Sequence, residues 1–402
     1  MKDIKRELKS MNFSADQLET GFMLLDLAQK FAAEIEPMAG RFDQEGIRCE
    51  NGQIILPSGM DEIIQKLGES GILGTFIPEQ YGGGGMPYTF YAVTIEIIAA
   101  ACPCIAVAMA VHGTAIDSIV ELGAPEARQK YLPKLARGEM LGAIAFTEPN
   151  AGSDVGNCKM AADLDGDHYL LNGVKQFITN GGKADIYIVL AATDRAKGKK
   201  GLSAFVVERK APGFGIGKVE EKLGIHASPT TELVLENCLV PKENLLGMPG
   251  KGLSYVLRGL TGGRIEIAAQ AVGIAKAAYQ KALKYSQERV QFDQPISNFQ
   301  AIQFKLADMV VGITAARKMY LGAAYLKDQG EDFLLASSMA KLFASEMAKQ
   351  VADEALQIHG GYGYIREYGV ERHYRDARIT TIYEGTSEIQ RVIISREILA
   401  RD

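Results

Sequence analysis

A chain of 402 residues, 47% of them hydrophobic, is long enough for two or three domains with a substantial core. Its formal net charge of -5 offers no broad basic face to nucleic acid, while leaving room for local basic pockets that hold an anionic cofactor. Residues 1–10 (MKDIKRELKS) lack the apolar run of a secretory signal, and no stretch approaches about 20 uninterrupted apolar residues, so no membrane span is expected. Cysteines 49, 102, 104, 158 and 238 follow neither a disulfide nor a metal-ligand spacing, which points to a reducing cytoplasm and no bound metal.

Residues 1–140 read mainly as helices. Ser14 or Asp16 can cap a first helix carrying Phe22, Leu25, Phe31 and Ile35 before Pro37. Met60–Leu67 suits a second, and Gly82–Gly85 reads as a flexible break. A long apolar helical pair follows from Tyr88 to Leu122, interrupted near Pro103, and then a helix over Pro125–Arg137.

The pattern changes at Leu141. Short apolar runs (Gly142–Thr147, Met160–Asp163, Tyr169–Leu171, Val174–Thr179, Ile186–Ala192, Leu202–Val207, Glu232–Leu235) alternate with turn residues. Asp165-Gly166 and Asn172-Gly173 are hairpin signals, because those pairs tolerate positive φ. Residues 141–250 should form a compact antiparallel β domain. Helical periodicity returns over residues 252–288, 297–327, 332–358 and 387–400, and helices of this length suggest a four-helix bundle across 251–402. Ser387 with Gln390 reads as a capping box for the last helix, with Ile389, Val392 and Ile393 on its buried face. The fold class expected is α+β: helices, then a β domain, then a helical bundle.

No dinucleotide-binding or P-loop fingerprint is present. Phe146-Thr147-Glu148-Pro149-Asn150-Ala151-Gly152-Ser153-Asp154 ends a strand in a small-residue turn, which suits either close approach to a cofactor or an ordinary polar loop. Lys175-Gln176-Phe177-Ile178-Thr179-Asn180-Gly181 is a second strand end, where Phe177 belongs either to the core or to a ligand site. In Ile382-Tyr383-Glu384-Gly385-Thr386-Ser387-Glu388, Glu384 precedes a helix start. A carboxylate in an apolar pocket is raised in pKa and can serve as a base, whereas a plain acid near a helix N-terminus only complements the dipole.

Taken together and in order, FTEPNAGSD, KQFITNGG, GGRIEIAAQAVGIA, QERVQF, QIHGGYGY and ERHYRDARITTIYEGTSEIQ resemble the acyl-CoA dehydrogenase family over nearly the whole chain, the last run looking most like its short-chain and branched-chain members. The resemblance implies FAD-dependent removal of two hydrogens from an acyl-CoA thioester. Glu384 would abstract the α proton, flavin N5 would take the β hydride, and an electron-transferring flavoprotein would accept the electrons. The reverse reaction, reduction of an enoyl-CoA, uses the same residues. Some relatives place their base just before the arginine of the GGR-like motif; here that position is Gly263, and Glu266, two residues past Arg264, is expected to be structural or superficial. The implied flavin contacts are Phe146, Thr147, Ser153, Phe177 and Thr179. Arg289, Phe292 and Gln300 would reach the FAD of a neighbouring subunit, Gln357, Gly360 and Gly361 its adenosine arm, and Thr386 and Glu388 the adenine end; a homotetramer follows. Ser153, Thr261, Arg264, Glu384 and Gly385 would contact substrate.

Three residues depart from the family pattern. His226 replaces an arginine in Leu223-Gly224-Ile225-His226-Ala227-Ser228, Thr261 replaces an aspartate that serves the CoA arm, and Asp293 replaces a glycine after Phe292. The acyl pocket is expected from the helical pair, with Ala99, Ala100, Cys102, Ala106 and Ala108 as its wall; Glu96 either lines it or makes a polar contact elsewhere. No arginine occurs between Met86 and Pro125, which disfavours dicarboxylic acyl groups and leaves short, branched or alicyclic ones.

Overall fold

The computed structural model describes residues 1–400. The first layer is helical: α1 (Lys2–Lys9), α2 (Ala15–Ile35), α3 (Ala39–Glu45), the small hairpin β1 (Arg48–Glu50)–β2 (Gln53–Ile55), α4 (Met60–Glu69), α5 (Tyr88–Ala101), α6 (Pro103–Leu122) and α7 (Pro125–Ala136). Ser14 caps α2 in a reciprocal capping box with Gln17. α5 and α6 are buried on almost every face, as interior helices are. By length and mean hydropathy α6 could cross a bilayer, but it lies in the centre of the molecule. Gly82–Gly85 is a backbone-bonded turn rather than a flexible break. Gly84 N–H donates to the Gly74 carbonyl and Gly85 N–H to that of Ile77, and a methyl on Gly83 would lie 2.2 Å from the Ile77 oxygen.

The second layer is one sheet of β3 (Gly142–Ala145), β4 (Ala161–Asp165), β5 (His168–Thr179), β6 (Ile186–Ala192), β7 (Leu202–Glu208), β8 (Phe214–Val219), β9 (Thr230–Pro241) and β10 (Leu245–Leu246). Its order is β10-β7-β6-β4-β5-β9-β8, with β3 also on β6. Two corrections arise here. The sheet is mixed, since β3 runs parallel to β6. Asp165-Gly166 does open a hairpin, but Asn172-Gly173 sits within β5 at a register shift against β9. Asn172 Oδ1 accepts the Asn237 N–H, so this pair forms a bulge that continues the strand.

The third layer holds α8 (Gly252–Glu288), the short hairpin β11 (Val290–Gln291)–β12 (Gln294–Pro295), α9 (Gln300–Asp328), α10 (Leu334–His359), α11 (Val370–Ile379) and α12 (Ser387–Leu399). The four long helices form the expected bundle, and α11 packs on it as an addition. The cap of α12 is Thr386, whose side chain accepts the Ile389 N–H; Ser387 lies inside the helix and donates to Glu346. Val392 is exposed rather than part of a buried face. The layers are joined by side chains as well as by packing. Asp328 at the end of α9 accepts the Tyr88 and Thr89 N–H groups and so caps α5 from a distant helix.

Candidate active site

Glu384 stands in a turn between α11 and α12 with φ at 52°, followed by Gly385 at 89°. A left-handed non-glycine residue costs about 1–2 kcal/mol and persists only where its surroundings impose it. Here Gln390 Nε2 donates to the Glu384 and Gly385 carbonyls, and the buried Lys341 Nζ donates to the Gly385 carbonyl at 2.8 Å. This conformation turns the Glu384 side chain inward against α8. A methyl on Gly263 would lie 2.8 Å from Glu384 Oε2, so only a glycine at that position admits the carboxylate.

Glu384 Oε2 is buried and makes no hydrogen bond, and Arg264 Nε, from the next residue of α8, is in the same state. Burial pushes the Glu384 carboxyl up to about 7, against the opposing pull of Arg264 and Lys341. Burial likewise lowers Arg264 to about 10 and Lys341 to about 7, with Glu384 opposing both shifts. The Glu384 N–H enters no backbone hydrogen bond among the described residues. Arg264 Nη1 donates to Thr261 Oγ1 at 3.4 Å, so Thr261, Arg264, Glu384 and Gly385 do gather in one place.

The two strand ends are also specific in geometry. Glu148 is buried and receives the Lys175 ammonium at 2.8 Å, the Cys158 thiol, and the Lys159 and Met160 N–H groups. Lys175 also reaches the Phe146 carbonyl, and Gln176 N–H donates to the Thr147 carbonyl at 2.9 Å, which ties one strand end to the other. Phe146 is buried, Thr147 and Thr179 are half-buried, and Ser153 is exposed on its turn. Phe177 is not a core residue: it is 58% exposed with φ at 57°, held out by Lys175 and Ile178, which are buried to either side.

A separate group surrounds a cavity of about 540 Å³ lined by Tyr285, Arg289, His359, Gly360, Gly361 and Tyr362. Methyl groups on Gly360 or Gly361 would meet nothing within 4 Å, and Arg289 lies over the Tyr362 ring. Phe292 is 87% exposed at φ 53°, with Asp293 at φ 60°, the conformation for which glycine would be usual. Gln300 at the start of α9 and Gln357 near the end of α10 are exposed, and Glu388 is exposed on the first turn of α12.

Of the expected acyl wall, Ala99 is taken up in helix packing, since a methyl on Gly273 would lie 2.7 Å from its Cβ. From α6, Thr114 places its Oγ1 3.1 Å from the same Gly263 methyl position. Glu96 makes its polar contact elsewhere, with both oxygens on Arg317 and one on Tyr320. His226 fills the departed arginine's place by bridging the Lys222 carbonyl to Asp43. Sequence reasoning missed Lys341 and Gln270, and it read Gln390 as a capping-box partner of Ser387, whereas its side chain donates to the Glu384 and Gly385 carbonyls. Gln270 joins the Pro103 carbonyl to the Tyr383 hydroxyl, and only the fold brings these segments together.

A carboxylate raised to near neutrality beside a buried guanidinium, with an exposed aromatic ring at a strand end of the same chain, suits the class of enzyme that moves a proton beside a flat cofactor. Family profiles agree with that class: "Acyl-CoA dehydrogenase, N-terminal domain" matches residues 19–139, the middle domain 143–238 and the C-terminal domain 250–399. The chain belongs to the acyl-CoA dehydrogenase family, flavin-dependent oxidoreductases with FAD as cofactor. It is 45% identical over 400 residues to an acryloyl-CoA reductase (NADH) of Anaerotignum propionicum, covering 99% of this chain and 98% of that one. Among solved structures, a chain from the electron transferring flavoprotein work on Acidaminococcus fermentans superposes with a TM-score of 0.91 at 43% identity, covering 97% of this chain and 99% of that one. Butyryl-CoA dehydrogenase from Megasphaera elsdenii gives 0.90 at 42% identity, covering 96% of this chain and 99% of that one.

The residues present fit FAD. Phe177 offers an exposed ring at a strand end, Gly360 and Gly361 leave open space beside Arg289, and the unpartnered Glu384 and Arg264 atoms face inward where substrate would complete them.

Proposed function

We propose that the protein catalyses α,β-dehydrogenation of an acyl-CoA thioester to the trans-2-enoyl-CoA, with Glu384 as the base. The observation that carries this reading is the inward, unpartnered Glu384 carboxylate, raised to about 7 by burial. An acid of this strength is half ionised near neutrality, so it can accept a proton and release it again. Its own N–H, free of backbone partners among the described residues, would donate to the thioester oxygen and stabilise the negative charge that develops there. Arg264 keeps the carboxylate ionisable in an otherwise apolar wall, and Lys341 and Gln390 fix the turn that presents it. Bound FAD supplies the acceptor for the β hydride.

Phe146, Thr147, Ser153, Phe177 and Thr179 would hold the flavin end of the cofactor, and Thr386 and Glu388 its adenine end. Arg289, Phe292, Gln300, Gln357, Gly360 and Gly361 would meet the FAD of a neighbouring subunit in a homotetramer. The exposure of Phe292 and the open cavity beside Arg289 support that reading. Ser153 and Thr261 would contact the CoA arm. The electron acceptor would be an electron-transferring flavoprotein, in the cytoplasm; the likeness to a chain studied with such a flavoprotein supports the acceptor. A short acyl group fits the likeness to a butyryl-CoA dehydrogenase. A second reading, reduction of an enoyl-CoA by the same residues, is favoured by the 45% identity to an acryloyl-CoA reductase.

The test is anaerobic bleaching of the FAD-loaded protein by straight-chain, branched, alicyclic and dicarboxylic acyl-CoA thioesters. Fast bleaching by a short or branched member is expected. A yellow protein bleached by no acyl-CoA, yet reoxidised after chemical reduction by an enoyl-CoA, would replace dehydrogenation by the reductase reading.

A further inference from the structure

Glu266 was expected to be structural or superficial, and it is wholly buried on α8, one turn beyond Gly262 and Gly263. Its Oε1 accepts from the Tyr88 hydroxyl at 2.7 Å and its Oε2 from the Thr114 hydroxyl at 3.0 Å. Each hydroxyl has a second acceptor within reach: the Gly262 carbonyl for Tyr88 and the Ala110 carbonyl for Thr114, both at 3.2 Å. The carboxyl can therefore sit ionised with both hydroxyls donating to it. It can equally sit protonated, donating to one hydroxyl that turns to its carbonyl. Neither state strands a polar hydrogen, which is the requirement for a group that gains and loses a proton inside a protein.

The groups facing Glu266 are Tyr88 and Tyr91 from α5, Thr114 and Asp117 from α6, and Lys327 from α9. The Tyr91 hydroxyl is committed to the Met109 carbonyl, and Gly113 leaves the room in which Tyr91 and Glu266 meet. Burial pushes the Glu266 carboxyl up to about 8, with Tyr88 and Thr114 opposing, Asp117 adding and Lys327 opposing, so both protonation states lie close to neutral pH.

Both ends of this track open through a glycine. At Gly263, the missing methyl would lie 2.8 Å from Glu384 Oε2 and 3.1 Å from Thr114 Oγ1, so the two oxygens border the same space left by the glycine, although no hydrogen bond joins them. At Gly262, it would lie 3.2 Å from Lys327 Nζ, 3.3 Å from Asp117 Oδ2 and 3.4 Å from Tyr88 Oη. Lys327 and Asp117 form a 2.6 Å ion pair whose side chains are 13% and 10% exposed, where solvent begins.

We propose that Thr114, Glu266 and Tyr88 form a proton relay joining the catalytic carboxylate of Glu384 to the Asp117–Lys327 pair at the solvent edge. The proposal rests on Glu384 being the base. After α-proton abstraction, the Glu384 carboxyl turns across the space at Gly263 to reach Thr114 Oγ1 and gives it a proton as Thr114 passes its own to Glu266 Oε2. Glu266, which starts protonated on Oε1, passes that proton to Tyr88 Oη in the same event, and the Tyr88 hydroxyl turns from Glu266 to give its own to the Asp117 carboxylate. Glu384 returns to its ionised form, the two hydroxyls and the Glu266 carboxyl are restored by reorientation, and no electrons move.

The test uses the FAD-loaded protein in D2O under anaerobic conditions with an acyl-CoA that bleaches it. Two rates are read: flavin bleaching, and deuterium entering the α carbon of recovered acyl-CoA. For Glu266→Gln, which keeps hydrogen bonding but cannot carry a proton, deuterium entry should fall about tenfold or more relative to bleaching. Tyr88→Phe should give the same change of ratio, and it carries the test should Glu266→Gln not fold. An unchanged ratio in the folded variants, with both rates normal or both reduced together, overturns the relay while leaving the base assignment in place. Failure of the unmodified protein to bleach or to exchange overturns the base assignment itself.

Discussion

Glu148 at the edge of the sheet and Glu384 in the turn before α12 are both carboxylates with an oxygen withdrawn from water, and their surroundings drive them in opposite directions. Burial pushes the Glu148 carboxyl up, but Lys175, the Cys158 thiol and backbone N–H groups outweigh it and hold it below the usual carboxylate range. For Glu384 burial prevails: Arg264 and Lys341 attract it without bonding to it, and the carboxyl rises to about 7. The contrast shows what separates a structural buried acid from a chemical one. Completeness of partnering differs: Glu148 meets a cation, a thiol and two N–H groups, while Glu384 Oε2 meets no donor. Glu148 is finished by its own chain and ties two strand ends into one platform, whereas Glu384 keeps an unpartnered oxygen.

Breaking the reactive member should have the largest effect. Glu384→Gln is expected to keep FAD absorbance while lowering the rate of flavin reduction by about a thousandfold, measured by stopped-flow bleaching. Near-normal reduction would move the base elsewhere. The same substitution carries a stability signature. Between pH 4.5 and about 7 the unfolded chain ionises this carboxyl while the folded one resists, so native stability falls as pH rises through that window. Glu384→Gln lacks that loss, and its advantage in thermal unfolding should appear above pH 7 and vanish below pH 4.5.

Breaking the structural member should act on folding rather than chemistry. Lys175→Met leaves the Glu148 charge buried with only its neutral donors and should destabilise by about 3–5 kcal/mol in denaturant unfolding. At temperatures where the variant is folded, its pH midpoint for flavin reduction should not move. A shifted midpoint would show that the two carboxylates are coupled after all. The smallest effect sharpens the comparison from the other side. Arg264 opposes the rise in Glu384, so Arg264→Gln should move the acid limb of the pH–rate profile upward from about 7, by about one unit. An unmoved limb would mean that Arg264 serves the substrate rather than the base.

Much of this was legible in the chain itself. The boundary between α5 and α6 is marked by Pro103, the extents of α8 and β6 follow from periodicity, and Glu384 stands out as an acid between an apolar run and a glycine. The exposed Phe177 was not legible, because an aromatic in a strand pattern reads equally as core; only its left-handed backbone turns it outward. α11 escaped notice because it is short and mostly polar, and β8 because its glycines break the alternation.

Local sequence by itself indicated the order of most helices and strands and singled out Glu384 as an acid set before a glycine, its role as a base being implied only by the family resemblance. Those depend on residue type, backbone preference and spacing over a few positions. Tertiary structure alone decided the cap that Asp328 lends to α5, the clamp of Lys341 and Gln390 on the turn of Glu384, and the Thr114–Glu266–Tyr88 track. In the cap, the Lys341 contact and the track, the partners lie on elements far apart in the chain, and the proton affinity of a carboxyl depends on what surrounds it in space, which no local pattern encodes.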